Sequence, residues 1–291
     1  MGQISLQAHA KINLTLDVVG RRDDGYHLLK SVMQSLSLAD IITIDLLPRK
    51  GIISISADTP DLPTDERNIC WRAASAFLNE MGSRMGVFIG IEKRIPMAAG
   101  LGGGSSDAAA VLIGLNELFA RPFDLAQLQA LGLSVGADVP FCLQGGTALV
   151  EGIGEKVTAV GNFSEAVFVL VKPKASVSTA QVYGRFDRKN FGSTYTQEFL
   201  RQLEANAALD ELSRACGNVL ETVTLSLVPE VQLWKERLLE TGALTAVMSG
   251  SGPTVFGIFA QEEKANQFCL RWQDEGEVYV ARPVPCGVLG R

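Results

Sequence analysis

Histidine is scarce in this sequence: His9 and His27 are its two, so no histidine-rich metal cluster can be assembled from it. A Mg²⁺ held mainly by substrate phosphates would need none. The five cysteines, at positions 70, 142, 216, 269 and 286, form no C-x-x-C pair, and an odd number cannot all pair within one chain. Reduced thiols in a cytoplasmic protein are the simpler expectation. Cationic side chains are also in deficit, 26 Lys and Arg against 32 Asp and Glu, a formal net charge of −6. Nucleic acid is therefore not expected as a partner, because a phosphate backbone calls for a basic face. No apolar run approaches the roughly 18 residues that span a bilayer, and the stretch Ala108 to Leu115 is broken by Gly114. The start, MGQISLQAHAKINL, lacks a basic region followed by an apolar one, and Leu6 stands where a myristoylation signal needs Ser or Thr. Neither a membrane nor export is expected.

What the sequence does have is a glycine cluster at Pro96-Met97-Ala98-Ala99-Gly100-Leu101-Gly102-Gly103-Gly104-Ser105-Ser106, followed by an alanine-rich helix start. Glycines let the backbone take positive φ and approach an anion with no Cβ in the way. From Asp107 to Glu117 the pattern is helical, with Val111, Leu112 and Leu115 on an apolar stripe. Free N–H groups at such a helix start, with the macrodipole behind them, favour phosphate. The segment is not a Walker A loop, since no lysine follows the glycines, and it lacks the third glycine of a dinucleotide fingerprint. A nucleoside triphosphate is the expected ligand. The plain alternative is a glycine-rich surface turn.

Strand-like alternation runs over Ile4 to Val19, and again over 41–46, 52–55, 87–92, 147–150, 167–171, 246–248 and 255–259. Helical spacing covers 68–81, 125–133, 231–239 and 200–227, the last with a break near Gly217. Strands and helices mix without a strict βαβ rhythm, which predicts an α+β fold. No internal repeat or low-complexity linker is present. A boundary near 157–165 divides the chain into lobes 1–160 and 161–291 in this reading.

Three motifs together resemble the GHMP kinases, a family of small-molecule kinases. The glycine cluster matches P-x-x-x-G-L-G-[GS]-[GS]-[SA]-[SA]; Ala10-Lys11-Ile12-Asn13-Leu14 matches an A-K-[IV]-N-L start; Met248-Ser249-Gly250-Ser251-Gly252-Pro253-Thr254 resembles a third, glycine-rich turn. The resemblance implies two domains with the active site in the cleft between them, ATP as phosphate donor, and Mg²⁺. With Asp24-Gly25-Tyr26-His27 and Gly136-Ala137-Asp138-Val139-Pro140-Phe141 added, the chain is similar to members acting on a cytidine-diphosphate-linked methylerythritol. What that implies is phosphorylation of its 2-hydroxyl, in the non-mevalonate route to isoprenoid precursors. Asp107 stands where some relatives carry Asn, and Ala98-Ala99 replace glycines found in others.

The resemblance also implies roles. Asp138 is the expected proton acceptor and Lys11 the cation stabilising the transferring group; without the other motifs the plainer readings, a helix N-cap and an exposed strand charge, would be preferred. Tyr26 and Tyr183 are the expected stacking surfaces for cytosine, and His27 the contact to its edge, against the plainer fates of a half-buried ring and a solvated turn histidine. Asn13 is expected to bond the substrate diphosphate or hold Lys11. Asn68 and Lys93 are placed near the adenine or its phosphates, and Ser106 near Mg²⁺, unless it caps the helix. A homoserine or mevalonate type of kinase, or a non-catalytic nucleotide sensor, are the competing readings.

Overall fold

A computed structural model describes residues 2–48, 51–161, 163, 165–186 and 191–290. The chain opens on a long hairpin. β1 (Gln3–Asn13) and β2 (Thr15–Arg21) run nearly end to end and pair antiparallel with β3 (His27–Leu47), a strand of 21 residues. The loop between them closes through the Arg22 N–H, which donates to the Tyr26 carbonyl at 2.8 Å. Alternation shows only the second half of β3, because residues 31–36 are buried throughout and include Ser31, Gln34 and Ser35. Those polar groups have partners: Gln34 donates to the Ser35 carbonyl and accepts from the Thr147 hydroxyl at 2.6 Å. A buried polar residue with a bond in place is tolerated where pattern alone expects an apolar one.

β4 (Ile53–Ala57) leads through α1 (Ile69–Glu80) to β5 (Gly86–Glu92), which lies parallel to β4 and antiparallel to the far end of β3. Then come α2 (Gly103–Leu118), α3 (Leu125–Val135) and α4 (Val139–Gln144), before β6 (Thr147–Gly152) pairs with the near end of β3 and β7 (Lys156–Ala159) with β6. A core of Phe77, Val111, Leu115 and Ile44 joins these helices to the sheet. Gly114 lets α2 lie hard against it, since a Cβ there would come within 2.4 Å of Ile44 Cδ1.

β8 (Val167–Lys172) begins a second sheet. It is followed by α5 (Thr179–Arg185), α6 (Tyr195–Glu204), α7 (Leu209–Arg214), β9 (Gly217–Asn218), α8 (Glu221–Leu227), α9 (Glu230–Glu240), β10 (Thr245–Met248), β11 (Val255–Phe259), α10 (Glu262–Trp272), β12 (Glu277–Ala281) and β13 (Val288–Gly290). The order β10-β11-β8-β12 is antiparallel throughout, whereas β9 and β13 return to the first sheet. The fold is α+β, as the mixed pattern predicts. The stretch 200–227 is not one broken helix but three helices and a two-residue strand, with Asn206 at φ 52 after α6. α10 escapes the pattern because it buries only Ala265 and Phe268. The stretch 157–165 starts inside β7 of the first sheet and ends just before β8 of the second, and its residues 162 and 164 lie outside the described ones.

A third core sits at the junction of the sheets. Ile12, Leu14 and Leu36 of the first meet Phe168, Leu170 and Phe256 of the second, with Ile95, Ala99 and Leu101 embedded among them. The flanks of the glycine segment are thus anchored by burial at the junction.

Candidate active site

Side chains two apart on a strand share a face, so Lys11 and Asn13 of β1 point the same way. The Lys11 ammonium, 4% exposed, donates to Asn13 Oδ1 at 2.9 Å and lies 3.3 Å from Asp138 Oδ2. Asn13 in turn donates to the Ser31 hydroxyl, and Ser31 to the Thr15 carbonyl. This chain of bonds fixes Lys11 from below. Asp138 sits at the N-cap of α4, yet its side chain accepts no capping bond. Its carboxylate faces Lys11 instead, so the plain capping alternative gives way.

The glycine segment arrives beside this pair. The Lys11 N–H donates to the Leu101 carbonyl at 2.9 Å, tying loop to strand. Gly100 and Gly102 take φ of 76° and 70°; a Cβ on the first would lie 2.5 Å from the Ser249 carbonyl oxygen, and on the second 2.7 Å from Lys11 Cγ. Both need glycine for conformation and for space. The helix, however, begins at Gly103 rather than at Asp107, so Gly103 and Gly104 form its first turn instead of loop. The Ser106 N–H already bonds the Gly102 carbonyl at 2.9 Å. No acidic side chain stands in that first turn, and its N–H groups and dipole meet an anion unopposed.

Three expected contacts are turned elsewhere. Ser106 is fully buried and donates to the His9 carbonyl at 2.6 Å, with Cys142 Sγ 3.3 Å away. Its hydroxyl is turned toward those partners, and Ser105 is the serine that lines the cavity. Lys93 is held by Asp40 and Asp107, all three nearly buried. Burial works to lower its pKa, but Asp107 and Asp40 outweigh it and raise it. Asp107 is pushed well up by burial, opposed by Lys93. Asn68 caps α1, accepting from the Cys70 N–H at 2.8 Å and donating to the Pro63 carbonyl. Both its polar ends are spent locally.

A cavity of about 720 Å³ brings together Lys11, Asn13, Asp138, Gly100, Gly102 and Ser105 with Tyr26, His27 and Tyr183. Residues of both halves line it, Thr179, Gly250 and Ser251 coming from the second. His27 begins β3 and Tyr183 lies on α5, their rings 5.2 Å apart and tilted by 36°. Burial, then Arg21, lowers the His27 pKa, which favours the neutral ring. Burial, then Asp138, raises that of Tyr183 and keeps its hydroxyl protonated. Tyr26 is 63% exposed at the hairpin tip. Sequence reasoning missed Arg21 and Thr179, which carry no glycine or motif signal. A smaller cavity of about 340 Å³, lined by Ile53, Asp65, Arg67 and Trp71 among others, opens beside the start of α1. Among the described residues no cluster of three His, Cys, Asp or Glu could hold a metal, and no helix is long and apolar enough to cross a membrane.

Comparison with known proteins agrees with this geometry. Residues 68–146 match the GHMP kinases N terminal domain and residues 197–278 the GHMP kinases C terminal domain. A 4-diphosphocytidyl-2-C-methyl-D-erythritol kinase of Acetivibrio thermocellus is 46% identical over 98% of this chain and its own full length. One from Clostridium botulinum is 43% identical over 97% of this chain, again across its full length. The crystal structure of a 4-(cytidine 5'-diphospho)-2C-methyl-D-erythritol kinase superposes with a TM-score of 0.81 at 33% identity, covering 96% of this chain and 99% of its own. A homoserine kinase from Cytophaga hutchinsonii, at 20% identity and a TM-score of 0.83 over 100% of this chain and 98% of its own, shares the fold. Similarity of this extent, end to end, leaves one family, and the chain belongs to it: the GHMP kinases.

Proposed function

We propose that this chain transfers the γ-phosphate of ATP to the 2-hydroxyl of 4-diphosphocytidyl-2-C-methyl-D-erythritol, as the names of its full-length relatives describe. One observation carries the reading: a single cavity holds both the Lys11–Asp138 pair beside a helix start and the His27–Tyr183 aromatic edge. The first is the equipment of phosphoryl transfer to an alcohol, and the second suits a pyrimidine. A small alcohol without a base has no use for the second.

Phosphoryl transfer passes through a loose transition state, so the protein's task is alignment and charge stabilisation. The helix N-terminus and the loop amides receive the triphosphate. Asp138 accepts the hydroxyl proton as the bond to phosphorus forms, and Lys11, held by Asn13, stabilises charge on the attacking and transferring oxygens. The smaller cavity beside Trp71 suits the adenine, because α1 and α2 start side by side: a Cβ on Gly104 would sit 3.5 Å from Ile69 Cγ2. Asn68 and Lys93 then serve the nucleotide indirectly, by capping α1 and rooting α2. The Ser105 hydroxyl and the Asp138 carboxylate would be the protein donors nearest a Mg²⁺ held mainly by phosphate oxygens, which would supply neutralisation of the phosphate charge. A division into lobes near residue 160 and a place in the cytoplasm complete the reading.

The test is ADP release with purified protein across a panel of alcohols: the cytidine diphosphate compound, its uridine analogue, homoserine and mevalonate. The cytidine compound is expected to be preferred. Asp138→Asn is expected to keep ATP and substrate binding while lowering kcat by about two orders of magnitude or more. Tyr183→Ala is expected to raise the substrate Kd about five-fold to a hundred-fold, at roughly 1–3 kcal/mol per stacked face, and leave ATP affinity unchanged. Indifference to the base returns the chain to a small-alcohol kinase. ATP binding with no turnover of any alcohol makes it a sensor.

A further inference from the structure

The turn at residues 248–252 touches the cavity from the second half of the chain, and what holds that turn is outside every motif of the sequence. Asn218, on β9 and 4% exposed, donates through one amide nitrogen to both the Met248 and the Gly250 carbonyls, each at 2.7 Å. Its oxygen accepts from the Leu220 N–H at 2.9 Å, so the carboxamide has a partner at each end and one allowed orientation. Glu221 accepts from the Met248 N–H at 2.7 Å, and Thr224 donates to the Ser251 carbonyl at 3.3 Å. Residues 218, 221 and 224 follow one another at intervals of three, along one face of the chain entering α8.

The turn so held reaches the reacting groups directly. The Ser249 hydroxyl donates to the Gly100 carbonyl of the glycine loop at 3.0 Å. A Cβ on Gly250 would stand 3.6 Å from Asn13 Oδ1 and 3.7 Å from Lys11 Nζ. From Asn218, two bonded steps therefore lead to the loop that cradles the phosphates, and one leads to the edge of the Lys11 pocket. We infer that Asn218 is a positioning residue for phosphoryl transfer, setting Gly100 and the Lys11 end of the cavity through the 248–252 turn. The inference rests on the kinase reading above. Misplacement of reacting groups by about an ångström costs on the order of a hundred-fold in rate even when the altered residue is remote, and a turn released from two carbonyl anchors can move that far.

Asn218→Ala and Ser249→Ala, singly and together, test it, with Asn116→Ala for comparison. Asn116 is similarly buried and doubly bonded, to the Phe123 N–H and carbonyl, but sits near the far end of α2, about 20 Å from Gly103. Asn218→Ala is expected to lower kcat about ten- to a hundred-fold with the alcohol KM nearly unchanged, and to raise the ATP Kd about five-fold by calorimetry. Asn116→Ala is expected to lower Tm comparably and leave kcat alone. Because Asn218 and Ser249 act through one turn, the double variant should be no slower than the slower single one. A folded Asn218→Ala protein with normal kcat and ATP affinity overturns the inference, as do effects that multiply in the double variant. Should Asn218→Ala fail to fold, Ser249→Ala decides: normal kcat and ATP affinity there overturn it equally. If the parent protein phosphorylates no cytidine-linked alcohol, the substrate reading falls, while ATP titration of the variants still decides the role of Asn218.

Discussion

Lys93 shows what a single residue can hide. Read beside the glycine loop, a lysine belongs on a phosphate; in the structure it lies between Asp40 and Asp107, with Asp40 also accepting the Ile95 N–H at 2.8 Å. Two carboxylates share one lysine in a buried place, which is why burial pushes the Asp107 pKa well up, and Asp107 Oδ1 has no partner. Removing the lysine should be far worse than removing one acid. Lys93→Met is expected to cost about 3–5 kcal/mol of stability by leaving buried acid without its cation, whereas Asp107→Asn should stay within about 1 kcal/mol. Urea denaturation measures both; the reverse order would mean that Lys93 does not neutralise the pair. Asp107 was legible in the sequence only as part of a helix start. Its true partners come from positions 40 and 93, and no spacing rule links those.

At the scale of the element, the glycine segment is two structures in series. Gly100 and Gly102 make a left-handed turn, and Gly103 and Gly104 make the first turn of α2. The sequence showed that backbone comes close to something here, but not which glycines are strained and which are only small. Gly102 is the sharper test, since its φ of 70° and its approach to Lys11 both exclude a side chain. Gly102→Ala is expected to lose about 1–2 kcal/mol of stability for the left-handed conformation and to lower kcat about ten-fold or more by displacing Lys11. Steady-state kinetics beside a thermal melt checks it; a normal kcat would show that Lys11 keeps its place without the glycine.

At the scale of the whole molecule, stability should depend on pH through His9. Its ring is 5% exposed, and burial, opposed by a hydrogen bond to the Leu36 backbone, lowers its pKa from 6.5. Below pH 6.5 the unfolded chain binds a proton that the folded ring resists, so unfolding becomes easier as pH falls from 6.5 toward the depressed folded value. The stability is fully present above 6.5. The expected slope in that window is up to about 1.4 kcal/mol per pH unit for one such group. His27, lowered in the same direction, adds to it. His9→Leu should flatten most of the dependence between pH 6.5 and 5.5 in denaturant melts; a variant as pH-sensitive as the parent would assign the effect elsewhere.

Local chemistry was enough to write the glycine turn before α2 and the mixed α+β character into the sequence. Glycine clusters, strand alternation and helix periodicity act over a few residues, and Lys11, Asp138 and the 248–252 turn could be singled out by motif. Which groups meet was settled by packing over long separations. The 21 residues of β3 carry β1 along one edge and β5 and β6 along the other, the junction core seats the loop, and Asn218 reaches Gly250 across 32 positions. Such pairings depend on burying one surface against another and on finding a partner for every buried polar group. Both are properties of the folded chain as a whole.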